Sequence, residues 1–186
     1  MKMRYCAAIV IGAAVAMAVP GVFAGLHFNA RTLAVSQEDQ EFINKAWNIN
    51  TTEIHLGEYA KDNAANDDVK SFGKDMVKDH TNLNKDLDKL AKDNDVACPT
   101  ELDPKNQEMI NQMTSLHGDE FDKKYMSAMV SGHREAYDAF DNKGKSGDTP
   151  VDKWAADTAP KIHHHLEMAI KTGKEVGADV GDEGGH

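Results

Sequence analysis

The chain has 186 residues, with 21 Lys and Arg against 31 Asp and Glu, nine His, two Cys and a formal charge of −10. That length suits one ordinary domain rather than two, and the net negative charge excludes a nucleic-acid backbone or an anionic membrane surface as partner, since both repel an anion. The hydrophobic fraction of 40% and charged fraction of 28% are those of a globular chain, and histidine is the outlier at roughly twice common usage.

Residues 1–24 read as a secretory signal peptide. Lys2 and Arg4 precede an apolar run from Cys6 to Val19 that is too short to span a bilayer, and Val22-Phe23-Ala24 before Gly25 fits a small-x-small cleavage site. Met3-Arg4-Tyr5 before Cys6 lacks the residues of a lipid-attachment site. Residues 25–186 number 162 and, without Lys2 and Arg4, carry a charge of −12 and a single cysteine, Cys98. An exported chain of this kind has no internal disulfide and depends on packing for its stability. The expected location is the periplasm or the exterior, with no transmembrane segment once the signal is removed.

A polar lead over 25–35 ends at Ser36, which with Asp39 three residues on reads as a helix N-cap signal. Phe42, Ile43, Ala46, Trp47, Ile49, Ile54, Leu56 and Ala60 then recur at helical spacing and predict a first helix to about Ala60. Asn66 caps a second helix with a stripe of Val69, Phe72, Met76, Leu83 and Leu87, running to about Ala91. Asp93 to Pro104 is a loop, and Pro104 opens a short helix ending near His117-Gly118. A third long helix starts near Asp119 and carries Phe121, Tyr125, Met126, Met129, Ala136 and Phe140. Thr149-Pro150 opens a fourth, with Val151, Trp154, Ala155, Ile162, Leu166 and Ala169, to about Thr172; Pro160 falls inside it. A Gly- and Asp-rich flexible tail is expected over 173–186. Strand alternation is absent. The expectation is an all-α, antiparallel four-helix bundle over 36–172, with a short extra helix in the long connection between the second and third long helices.

Certain polar residues fall on the apolar faces. At 100° per residue, Glu53 lies about 20° from the centre of its stripe, and His80, Asp122 and His133 each lie within about 40° of theirs. Asn50 sits beside Glu53, and Asp79 lies on the flank. In the run His163-His164-His165, adjacent residues diverge, and only His165 falls on the apolar side. In an up-down bundle both short turns share one end. From that end Glu53 and His80 lie about 15–18 Å deep, His133 about 17 Å and His165 about 24 Å, with Asp122 about three turns away. One carboxylate and three imidazoles, one per helix, therefore reach one layer.

Buried polar groups satisfy each other, hold water or hold a cation. Glu53, His80, His133 and His165 are thus candidate ligands for zinc, copper or iron, and a hydrogen-bonded knot that sets helix register is the structural alternative. A second candidate depends on cleavage after Ala24: a mature start Gly25-Leu26-His27 supplies an amine, two backbone amides and the His27 imidazole, a square-planar set suited to copper(II). No nucleophile–base arrangement or phosphate-binding loop stands out, and the reading is of a non-enzymatic protein.

The phrases Phe42-Ile43-Asn44-Lys45-Ala46, Glu53-Ile54-His55-Leu56-Gly57, Met76-Val77-Lys78-Asp79-His80, Phe121-Asp122-Lys123-Lys124-Tyr125-Met126 and His165-Leu166-Glu167-Met168-Ala169 carry a likeness. Together, over about Ser36 to Lys171, the chain resembles the exported bacterial family called domain of unknown function 4142. The resemblance implies a ferritin-like bundle and an envelope location, and no established activity. It also implies that Glu53, His80, Asp122, His133 and His165 occupy favoured positions. A di-iron oxidoreductase is disfavoured, because such sites use inward Glu-x-x-His pairs and the single Glu-x-x-His here, Glu183 to His186, lies in the tail. Two readings follow: an exported bundle that binds a transition metal or supports envelope stress tolerance, or a structural or protein-interaction module whose polar layer binds none.

Overall fold

The computed structural model describes residues 35–181. The segment 1–24 expected to be a signal peptide, the polar lead up to residue 34 with His27, and the tail residues 182–186 lie outside the described residues. Within them the chain forms five helices and no strand: α1 (Gln37–Asn63), α2 (Asp67–Asp93), the short α3 (Pro104–Thr114), α4 (Gly118–Gly144) and α5 (Pro150–Val176).

The caps are those the sequence indicates. Ser36 and Asp39 form a capping box at α1, Asn66 accepts from the backbone amides of Asp68 and Val69, and Thr149 with Asp152 repeats the box at α5. Each satisfies amide donors that the first helical turn leaves unpaired. Helix α5 runs one turn past the expected end near Thr172, because Gly177 adopts the left-handed conformation at φ 69° and the Ala178 amide bonds back to the Gly173 carbonyl. The described start of the tail then folds back, with the Arg134 guanidinium donating to the Val180 carbonyl at 3.3 Å.

Helices α1 and α2 form one antiparallel hairpin, and α4 and α5 the other. Their close approach uses small residues. A Cβ on Gly57 would sit 2.7 Å from the Gly73 carbonyl oxygen across the first hairpin, and one on Gly144 2.7 Å from the Ala156 Cα across the second.

The relative direction of the hairpins corrects the up-down expectation. The Ala65 and Asn66 amides, in the α1–α2 turn, donate to the Asp122 carboxylate near the start of α4 at 3.1 and 2.7 Å. Lys143, near the end of α4, pairs with Asp39 at the start of α1 at 2.7 Å and with Asp152 at the start of α5 at 3.0 Å. The α4–α5 turn therefore lies at the opposite end from the α1–α2 turn, and α2 and α4 run parallel. The α2–α4 connection, including α3, carries the chain back along the bundle, the single long crossover of ferritin-like folds.

The core divides into two apolar clusters. Leu56, Ala60, Val69, Phe72, Met76, Phe121, Tyr125, Met126 and Leu166 fill the end near the α1–α2 turn. Ile43, Ala46, Leu87, Ala136, Phe140, Val151, Ala155 and Ile162 fill the other, with Cys98 packed at its edge. Asn50 and Glu53 on α1, His80 on α2, His133 on α4 and His165 on α5 are buried between the two, whereas the buried Asp39, Asp122 and Asp152 lie at the ends of the bundle.

Candidate metal centre

His80 on α2, His133 on α4 and His165 on α5 project from mid-helix into the gap between the apolar clusters, and all three are at most 3% exposed. Their ring centroids stand 5.3–5.8 Å apart, and one nitrogen from each ring lies within 4.8 Å of the others. Zinc–nitrogen bonds are about 2.0–2.1 Å, so nitrogens around one ion stand about 3.3 Å apart, and small side-chain rotations close this triangle.

The hydrogen bonds define which nitrogens are available. His80 Nδ1 pairs with the Asn50 amide oxygen at 2.9 Å, His133 Nδ1 donates to the Met129 carbonyl at 2.8 Å, and His165 Nε2 pairs with the Asp79 carboxylate at 3.1 Å. A neutral imidazole has one N–H and one lone pair, and each acceptor takes the N–H. The lone-pair nitrogens are then His80 Nε2, His133 Nε2 and His165 Nδ1, and all three are buried with no hydrogen-bond partner. Metal-binding histidines are held in this way, one nitrogen fixed by an oxygen acceptor and the other bare.

Electrostatics keep the rings neutral. Burial, reinforced by the neighbouring His133 and His165, holds His80 well below the ordinary histidine range. Burial and His165 push His133 down to about 4. Burial also lowers His165, although the Asp79 hydrogen bond and charge partly restore it. For Asp79, burial opposes ionisation, but the His165 hydrogen bond and Lys161, 3.7 Å away, outweigh it and leave the carboxyl below its usual range. Neutral rings beside an ionised carboxylate form a cation-accepting site.

Glu53 occupies the same layer, 7% exposed, with its Oε2 unpaired, but its carboxylate stands outside the 4.8 Å group of ring nitrogens. Burial raises its pKa to about 8. Glu53 in turn adds to the burial that pushes the Tyr125 phenol, also without a hydrogen-bond partner, well above the usual tyrosine range. Glu53 lines a hole of about 10 Å³ with Asn50, His80, Gly132 and His133, room for about one water-sized sphere.

Asp122 is not in this layer. The sequence expectation of a separate layer holds, but the residue lies at the α1–α2 turn, where it receives the two amides already described. His55, His163 and His164 are exposed. His27 lies outside the described residues. Residue patterning gave no role to Asn50, Asp79 or the Met129 carbonyl, the groups that orient the rings. The available signals were Asn50 one turn before Glu53 on the same face and Asp79 adjoining His80.

A four-helix bundle with one long crossover and three buried imidazoles, each oriented by an oxygen acceptor, defines the class: a helical bundle whose core can hold a metal ion. The sequence model of the family described as domain of unknown function DUF4142 matches residues 27–172, and the chain belongs to that family. No curated protein and no solved structure matches the chain. Among the described residues no helix is long and apolar enough to cross a membrane.

Proposed function

We propose that this is an exported, non-enzymatic envelope protein that takes up one transition-metal ion, zinc or copper(II), on His80, His133 and His165. The observation that carries this reading is the set of three buried ring nitrogens without partners, on rings whose other nitrogens are fixed. An all-imidazole donor set suits zinc and copper(II) better than magnesium or calcium, which prefer oxygen. Export is supported by the apolar, basic-headed segment over 1–24.

A second reading, a register-setting layer without metal, is favoured by the edge-on packing of His133 against His80 at 68° and His165 at 78°. Metal analysis of untagged protein purified from the envelope separates the two. Stoichiometric zinc or copper, lost in His80→Ala and His165→Ala, is expected. Metal-free protein whose melting is unchanged by added zinc or copper would support the packing layer instead. A His27→Ala variant keeps copper bound at the amino terminus from being counted as core metal.

A further inference from the structure

The histidines have a specific way in. A groove of about 590 Å³ lies between α1, α3 and α4, lined by polar groups that include Asn48, Asp103, Ser131 and Glu135, and its inner residues include Glu53. Ile49, Glu53, Gly132 and Ala136 line both this groove and the small hole beside His80 and His133. Glu53 is the ionisable residue of the four. It is more than nine-tenths buried, and its Oε2 has no hydrogen-bond partner. Gly132 leaves the passage open, since a Cβ built there meets no atom within 4 Å.

We propose that a divalent cation reaches the three imidazoles through the α1–α3–α4 groove, and that Glu53 is the transit ligand that takes it from water and passes it inward. The inference rests on the metal reading above and adds the direction of approach and the residue that controls its rate. At the neck the Glu53 carboxyl gives its proton to water as the cation arrives, and its oxygens replace hydration oxygens one at a time. The imidazoles then hold the ion, and Glu53 is not required once it has arrived.

The test is stopped-flow uptake of cobalt(II) ions by the metal-free full chain, followed by visible absorbance, with affinity measured separately at equilibrium. Gly132→Met adds bulk at a residue that lines both groove and hole, where a Cβ meets no atom, and favours the helix. Lys124→Met, on an exposed face of α4, is the control. Uptake and release are both expected to slow about tenfold or more in Gly132→Met, leaving affinity within about threefold of wild type. Glu53→Gln is expected to slow uptake while still binding, and Lys124→Met to match wild type. No uptake by the wild-type chain overturns the metal reading itself. Uptake in Gly132→Met as fast as wild type overturns the route and leaves the metal reading standing. Loss of equilibrium binding in Glu53→Gln overturns the transit role, making Glu53 a resident ligand.

Discussion

Two polar layers lie inside this bundle, and they are built on opposite principles. At the α4–α5 end, Lys143 meets the carboxylates of Asp39 and Asp152 at 2.7 and 3.0 Å, and Asp152 also receives the Ser146 hydroxyl and the Thr149 amide. The one ammonium there touches both buried carboxylates and reaches Glu38 at the surface at 3.3 Å. At mid-bundle three imidazoles and a carboxylate share a layer with four ring or carboxylate atoms unpaired. The first layer pairs its charges as it stands, and the second leaves those four atoms bare. Removing a group should therefore be costly in the first and nearly free in the second.

The largest expected effect is at the matched layer. Lys143→Met leaves two nearly buried carboxylates facing each other, and breaking such a network costs about 3–5 kcal/mol. Urea unfolding of the metal-free protein measures it. A loss under about 1 kcal/mol would mean that the two layers do not differ in kind.

Glu53→Gln comes next, with the opposite sign. The folded pKa of Glu53, about 8, lies above its unfolded value, so its contribution is fully present below the unfolded pKa and is lost as pH rises through 8. The histidines are lowered, so their contribution is fully present above the unfolded value near 6.5 and is lost as pH falls toward the folded pKa of His133, about 4. Asp152 is depressed further still: burial alone would raise it, but Ser146, Thr149 and Lys143 outweigh burial. Asp152 therefore does not titrate between pH 6.5 and 8, and Glu53 governs the slope there. Wild-type stability should fall across that interval, the Glu53→Gln curve should be flat, and the variant should be more stable by roughly 2–4 kcal/mol at pH 8. Parallel curves would show that Glu53 is not buried as a protonated acid.

On the proposed metal reading, zinc is expected to sharpen the contrast by filling the open layer. At a free concentration one hundred times the dissociation constant, binding adds about 2.7 kcal/mol, which for a domain of this size raises Tm by about 5–10 °C. Asp79→Ala should weaken affinity about 10- to 100-fold by releasing the His165 ring, whereas Lys143→Met should leave affinity unchanged. Calorimetry with zinc titration reads both.

The sequence carried most of the fold and the members of the site, but not their surroundings. Apolar stripes and caps placed all five helices to within about a turn, because 3.6-residue periodicity and Ser, Asn and Thr capping are local properties. The direction of the second hairpin is not local, and periodicity is blind to it. The readable hint was the α2–α4 connection, long enough to run the length of a 27-residue helix of about 40 Å. The three histidines still converge because each lies near mid-helix, where reversing a hairpin moves a residue by only a few ångströms. Asp122, near a helix end, changed ends of the bundle. Asn50 and Asp79 stayed silent because what they do depends on which ring rotates toward them, and that is settled by packing between helices.

The smallest expected effect is the most exacting test of the difference. His133 donates Nδ1–H to the Met129 carbonyl one turn earlier, and its Nε2 is buried with no acceptor or donor. A carbonyl inside a helix already accepts from the backbone amide four residues on, so losing the ring strands no oxygen. His133→Leu removes one buried unpaired nitrogen and keeps a side chain of similar volume against Phe72, where the ring now stands edge-on at 74°. Removing an unsatisfied polar atom offsets the lost hydrogen bond, so metal-free stability should shift by less than about 1 kcal/mol, in either direction. In the same variant the zinc-induced rise in Tm should vanish, because two imidazoles cannot hold the ion as three do. Near-neutral folding with loss of the metal response is the signature of a layer kept for a ligand. A loss of about 3 kcal/mol or more in the metal-free protein would instead place His133 with Lys143, as a member of a finished polar network.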